Sequence, residues 1–120
     1  MDEKIITVSM QMITLAGEGR SLLQKALDAI SLEQFTDAKR IIEEATLKIQ
    51  AAHIMQTEIV QSEMSEAELG LSVKPLLFTH AQDTLMTINS ELIMTKKLCK
   101  MFNRLYDRLN SIEETIHGNT

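Results

Sequence analysis

Glycine and proline occur in this 120-residue chain only at Gly17, Gly19, Gly70, Pro75 and Gly118. The segments from Arg20 to Leu69 and from Leu76 to His117 contain neither. Antiparallel sheet proteins reverse the chain about every 8–12 residues and use these residue types to do it. Spans of 50 and 42 residues without one therefore exclude a hairpin-rich sandwich or barrel. The same scarcity removes the Gly-rich phosphate loop and the dinucleotide-binding turn, which need glycine where backbone approaches phosphate. Hydrophobic residues make up 44% of the chain although aromatic residues are only 3%. That is enough apolar surface for a packed core and too much for a disordered chain. An all-α fold in a single domain, residues 1–120, is expected.

Charge and cysteine content narrow the function classes. Twelve Lys and Arg are scattered among seventeen Asp and Glu, for a net charge of −5. No basic stripe forms, so a nucleic-acid partner is not expected. Cys99 is the one cysteine, which forbids an intramolecular disulfide and fits a reducing, cytoplasmic compartment. Met1-Asp2-Glu3-Lys4 is acidic where a secretory signal is basic. The apolar stretch Ile5 to Leu15 is interrupted by Thr7, Ser9, Gln11 and Thr14, and falls short of the roughly 20 apolar residues that cross a bilayer.

Hydrophobic periodicity predicts three helices, at about 5–30, 32–69 and 75–116, packed as an antiparallel bundle. In the first, Leu15, Leu22, Leu23, Ala26, Leu27 and Ile30 keep helical spacing. Gly17 and Gly19 cost it about 1 kcal/mol each against Ala, which points to close packing or a bend. Ser31-Leu32-Glu33-Gln34 has the S-x-x-Q form of a capping box, so the second helix is expected to begin there. Its seam is Phe35, Ala38, Ile42, Ala45, Ile49, Ala52, Gln56 and Ile59, spaced alternately by three and four. Gly70 suits a C-terminal cap, and Ser72-Val73-Lys74-Pro75 forms the second break, with Pro75 at the first helical position. The third seam is Phe78, Ala81, Leu85, Ile88, Leu92, Thr95, Cys99, Phe102, Tyr106 and Leu109. A helix of that length, roughly 60 Å, outreaches a small core, so its apolar face is expected to be shared with another chain.

Few side chains are available for chemistry. Cys99 lies on the seam, where a thiol acts as a small hydrophobe. The methionines are spread over all three helices as core and contact residues rather than as a metal box. Glu114 and His117 have Glu-x-x-His spacing, but a carboxylate di-metal site needs two such elements and two further Glu. His53 follows Ala51-Ala52 and reads as a boundary histidine. His80 shares a helix face with Asp83 at i+3, Thr84 at i+4 and Thr87 at i+7. One imidazole, one carboxylate and two hydroxyls thus form a polar stripe beside an apolar seam. Spacing alone gives that stripe no function.

The string His80-Ala81-Gln82-Asp83-Thr84-Leu85-Met86-Thr87 resembles the H-A/G-Q-D-H-L-M-T signature of the enzyme IIA components of the lactose/cellobiose (diacetylchitobiose) family in the bacterial sugar phosphotransferase system. Ala16-Gly17-Glu18-Gly19-Arg20-Ser21 is similar to the A-G-D/E-x-R-S of that family's first helix. Ala52-His53-Ile54-Met55-Gln56-Thr57 is similar to the A-H-x-x-Q-T of its second. The resemblance runs in order from Ile5 to Asp107.

It implies a three-helix subunit that assembles as a parallel homotrimer. It also implies that His80 is the phosphoacceptor, charged by phospho-HPr and discharged to the cysteine of a IIB component, while the membrane IIC permease imports the sugar. Gln82, His53, Thr84 and Thr87 would support the phosphoryl site. Asp83 would face the trimer axis, where three copies meet around magnesium or another divalent cation. The family usually has a second histidine where this chain has Thr84, which carries a hydrogen-bond donor but no positive charge. The rival classes are a helical-bundle adaptor and a regulatory homologue that is phosphorylated outside transport. General similarity favours cellobiose or a related β-glucoside over lactose as the sugar.

Overall fold

The computed structural model describes the backbone of residues 2–68 and 76–118, and the side chains of 3–62 and 76–118. It contains three α-helices: α1 (Asp2–Ser31), α2 (Phe35–Glu68) and α3 (Leu76–Gly118). The expected caps at Gly70 and Pro75 lie outside the described residues. The bundle measures 78 × 22 × 17 Å, and its long dimension is set by α3, 43 residues and about 65 Å.

The seam of α2 is buried along its length. Phe35, Ala38, Ile42, Ala45, Ile49, Ala52 and Ile59 are all shielded from solvent, while Gln56, its polar member, is half-buried. Small residues let the other two helices approach closely, and the isoleucines between them fill the remaining space. From α3, Phe78, Ala81, Leu85, Ile88, Leu92, Thr95 and Cys99 enter the same core. Fully buried side chains such as Phe78, Ile49, Leu85 and Ile88 each contribute about 1.5–3 kcal/mol. The two buried hydroxyls bond carbonyls of their own helices: Ser9 Oγ donates to Ile5 O at 2.6 Å and Thr95 Oγ1 to Glu91 O at 2.7 Å.

Two expectations need correction. The first concerns Ser31, which is the last residue of α1 rather than a cap for α2; its hydroxyl donates to Asp28 O at 2.7 Å. A C-terminal cap of α1 has won over the capping box. The Gln34 N–H bonds Ala29 O at 2.9 Å and the Glu33 N–H bonds Ile30 O at 3.0 Å, the paired bonds of a Schellman motif. That motif needs a left-handed residue, and Glu33 supplies it at φ 62°. So α2 starts at Phe35, with Gln34 O accepting from the Ala38 N–H at 3.0 Å. The second concerns the end of the α3 seam. Phe102 and Leu109 are about half exposed, and only Tyr106 still packs within the subunit, its ring 5.5 Å from that of Phe35.

The glycines of α1 separate into two roles. A Cβ at Gly19 would lie 2.8 Å from Ile49 Cγ1, so glycine there lets α1 close onto α2. A Cβ at Gly17 would meet nothing within 4 Å. Urea titration should therefore find Gly17→Ala more stable by about 1 kcal/mol and Gly19→Val less stable by about 1–3 kcal/mol; equal effects at both positions would contradict the packing. In the same assay Glu33→Gly should gain about 1 kcal/mol by relieving the left-handed backbone.

Candidate functional site

His80 is the fifth residue of α3 and is exposed. Phe78, Ala81 and Leu85, its near neighbours along the helix, are 0% exposed. The imidazole therefore stands on backbone held rigidly by the core while facing solvent itself. Among the described residues it makes no hydrogen bond or ion pair within the chain. At the fifth position it gains little from the helix dipole, which fades within the first turn.

Its neighbours divide by helical geometry. Asp83 and Thr87 are exposed and Thr84 is half-buried. Thr87 Oγ1 donates to Asp83 O at 2.9 Å, so its proton is already engaged. The Thr84 hydroxyl has no partner among the described residues, and at i+4 it is the free donor nearest in register to His80. Gln82 is half-buried at i+2, on the opposite side of the helix from His80. His53 is half-buried on α2. Gly19 packs on Ile49 and Arg20 bonds Glu91, and by this register His53 lies about one and a half turns further along the bundle than His80. Of the residues expected at the site, helical geometry groups His80 with Asp83, Thr84 and Thr87 and sets Gln82 and His53 apart.

A clamp that periodicity did not reveal fixes α1 against α3. Arg20 Nε donates to Glu91 Oε1 at 2.7 Å and its Nη2 to Glu91 Oε2 at 2.9 Å. The hydrogen bond to Glu91 raises the Arg20 pKa above its usual value; burial opposes this, and the charge of Glu91 adds a smaller upward push. Lys48 Nζ and Glu18 Oε2, 2.9 Å apart, tie α2 to α1 about half a turn away. Partners 71 residues apart leave no trace in a periodic pattern.

The exposed His80 lies apart from an apolar cleft at the other end of the bundle. That cleft, of 390 Å³ and lined by Leu27, Ile30, Phe35, Phe102 and Tyr106 among others, is about 33 Å along α3. Among the described residues no three of His, Cys, Asp and Glu cluster as metal ligands around Asp83 or elsewhere. Glu114 and His117 form none either. No described helix is long and apolar enough to cross a membrane. An exposed imidazole on a core-packed helix, with a hydroxyl donor on the same face, is equipped to exchange a small electrophilic group with another macromolecule.

Comparison with known proteins agrees with this chemistry. The family model described as the lactose/cellobiose-specific IIA subunit of the PTS system matches residues 7–103. The chain is 32% identical over 108 residues to the lactose-specific EIIA component of the PTS system from Lacticaseibacillus casei, covering 90% of this chain and 94% of that one. It is 28% identical over 109 residues to the N,N'-diacetylchitobiose-specific EIIA component of Escherichia coli strain K12, covering 91% and 88%. The crystal structure of PtcA from S. mutans superposes with a TM-score of 0.74 at 26% identity, over 83% of this chain and 95% of that one. The three-helix chain with His80 exposed near the start of α3 thus belongs to the lactose/cellobiose-specific IIA family, the phosphotransferase components of sugar uptake systems.

Proposed function

We propose that this chain is a phosphocarrier of a sugar phosphotransferase system, with His80 as the residue phosphorylated. The observation that carries this reading is the exposed imidazole of His80, without a partner among the described residues, on a core-packed stretch of α3 within the segment that the family model matches. A neutral ring nitrogen of His80 attacks the phosphorus of phospho-HPr. The N–P bond of HPr breaks as the new N–P bond forms; the HPr ring takes up one proton and leaves as neutral imidazole, while phospho-His80 gives one up from its other ring nitrogen. In the second half of the cycle the thiolate of a IIB cysteine attacks, and the His80 N–P bond breaks. The sugar is phosphorylated downstream, as a membrane IIC component brings it in, so the carrier works in the cytoplasm. The relatives named above act on lactose and diacetylchitobiose systems, and cellobiose or a related β-glucoside is the proposed sugar.

Such a transfer requires alignment and donors for the equatorial oxygens more than covalent chemistry. Thr84 is the donor this chain supplies from the face of His80, in place of the family's second imidazole. Thr87 serves only after releasing its bond to Asp83 O. His53 and Gln82 act, in this reading, by holding the surroundings of α3 or by meeting a neighbouring copy.

Assembly is the second part of the proposal. Asp83 offers one exposed carboxylate per chain, and a hard oxygen donor of this kind suits magnesium or a similar divalent cation. Three copies packed in parallel about α3 would gather three such carboxylates, whose repulsion a cation relieves. The role of Asp83 is then in assembly.

Incubation with phosphoenolpyruvate, enzyme I and HPr, followed by intact mass measurement, tests the carrier reading. One acid-labile phosphoryl group should appear, and His80→Ala should abolish it. Thr84→Val should slow transfer about tenfold, the loss of one hydrogen bond to a charged group. No gain with active upstream proteins would refute the reading and leave the adaptor. For assembly, magnesium should raise the melting temperature of the native chain but not of Asp83→Ala, with helical content equal in both; equal response of both proteins would remove Asp83 from the cation site.

A further inference from the structure

Residues 96–108 of α3 hold five of the chain's twelve Lys and Arg but one of its seventeen Asp and Glu. The cations are Lys96, Lys97, Lys100, Arg104 and Arg108, and the acid is Asp107. All five cations are exposed, and among the described residues none has an ion pair or hydrogen bond. Lys96, Lys100, Arg104 and Arg108 are spaced by four, so each repels the next along one row of the helix, about 18 Å long. No described carboxylate pairs with the row, although the chain as a whole carries a net charge of −5.

Helical geometry turns the row away from the rest of the protein. Thr95 and Cys99 are buried against the core. Leu98, Leu105 and Leu109 mark the free apolar side, and the mean direction of the cations lies roughly 130° around the axis from those leucines. The row therefore stays open to solvent whether or not copies assemble through the apolar side. Two large apolar side chains accompany the cations. Ile93, 49% exposed, lies within the arc of the row, and Met101, 62% exposed, lies at its edge.

We infer that this face of α3 is a docking surface for an anionic lipid bilayer. The negative potential of such a surface attracts clustered Lys and Arg and relieves their mutual repulsion. A plane asks for no cavity, only for cations in a straight line, and α3 offers that. Ile93 and Met101 enter the headgroup layer while the longer Lys and Arg chains reach the lipid phosphates. No aromatic side chain lies on the face to stack a base or to anchor a protein partner, since Phe102 and Tyr106 are on the opposite side of the helix. The bundle is 22 × 17 Å in cross-section, more than twice the Debye length of about 8 Å at physiological salt. Acids on the far faces of α1 and α2 therefore repel the membrane little. The inference goes beyond the carrier reading and does not depend on it.

Flotation of the full chain with lipid vesicles tests it. The protein should float with vesicles of phosphatidylglycerol and phosphatidylcholine in equal parts and not with phosphatidylcholine alone. Raising the salt from about 50 mM to about 500 mM should release it, because screening shortens the reach of the row. Lys100→Glu combined with Arg104→Glu should lower the partition coefficient at least roughly tenfold. Helical content and His80 phosphorylation in solution should be unchanged in that variant, since both side chains are exposed. The chain contains no tryptophan, so Ile93→Trp supplies a single reporter, whose emission should shift to the blue on anionic vesicles only. Equal flotation with both lipids, or with neither, would overturn the docking surface. So would undiminished binding by the doubly charge-reversed variant. Binding of a labelled DNA duplex at a salt concentration where anionic vesicles are ignored would assign the row to nucleic acid and overturn the inference equally.

Discussion

The placement of every functional side chain depends on how closely α1 and α3 approach the seam of α2. Ala38, Ala45 and Ala52 are fully buried there and present almost no side chain, while Ile42, Ile49 and Ile59 interdigitate between them. At one point even an alanine opposite would be too large, and Gly19 stands over Ile49. Two polar contacts then lock the axial register: Lys48 to Glu18 between α2 and α1, and the two-pronged Arg20 to Glu91 between α1 and α3. Exposed ion pairs add little stability by themselves. Their value here is geometric, because helices packed through smooth apolar seams can slide, and a fork-to-fork pair has one good alignment. His80 lies eleven residues upstream of Glu91 on a helix fixed in this way.

A phosphoryl carrier has to present its phosphoacceptor to a donor and then to an acceptor, each of protein size. A pocket would hinder both encounters. In the proposed reading, the exposed position of His80 would leave the partner to contribute much of the stabilisation for the equatorial oxygens, and the carrier would contribute alignment. Thr84 matters in this division of labour. A hydroxyl holds an oxygen without adding charge, so the His80 face stays electrically milder than one bearing two imidazoles. Capture of the dianionic group then relies more on what HPr and IIB bring.

The sequence disclosed those features whose physical cause lies within one helix. The α2 seam was legible from Phe35 to Ile59 because three-and-four spacing maps directly onto a buried stripe. The α1–α2 boundary was misplaced because S-x-x-Q is only half of the local contest. The other half is a C-terminal cap with Glu33 in a left-handed conformation that usually falls to glycine, and no residue type announced it. Seam spacing also carried the α3 core too far, since Phe102 and Leu109 continue the pattern after the subunit has run out of partners. Periodicity reports that a face is apolar but not which chain covers it. Around His80 the helical offsets put Asp83, Thr84 and Thr87 on its own side of α3, whereas Gln82, expected among the supporting donors, falls on the other. The chemistry came from the resemblance, because one imidazole among hydroxyls is common on helices that do nothing.

The length of α3 separates two tasks that interfere when they share a surface. Near Leu76 the helix is pinned by Phe78, Ala81 and Leu85, so the exposed face at His80 can remain polar and open to successive partners. Past Tyr106, which still packs on Phe35, its residues are almost all exposed, yet the apolar ones do not thin out. A run of half-exposed Leu and Ile on a projecting helix is costly to leave in water and hazardous for a lone subunit. Under the proposed assembly about α3, other copies would cover that run while the His80 end stays open to successive partners.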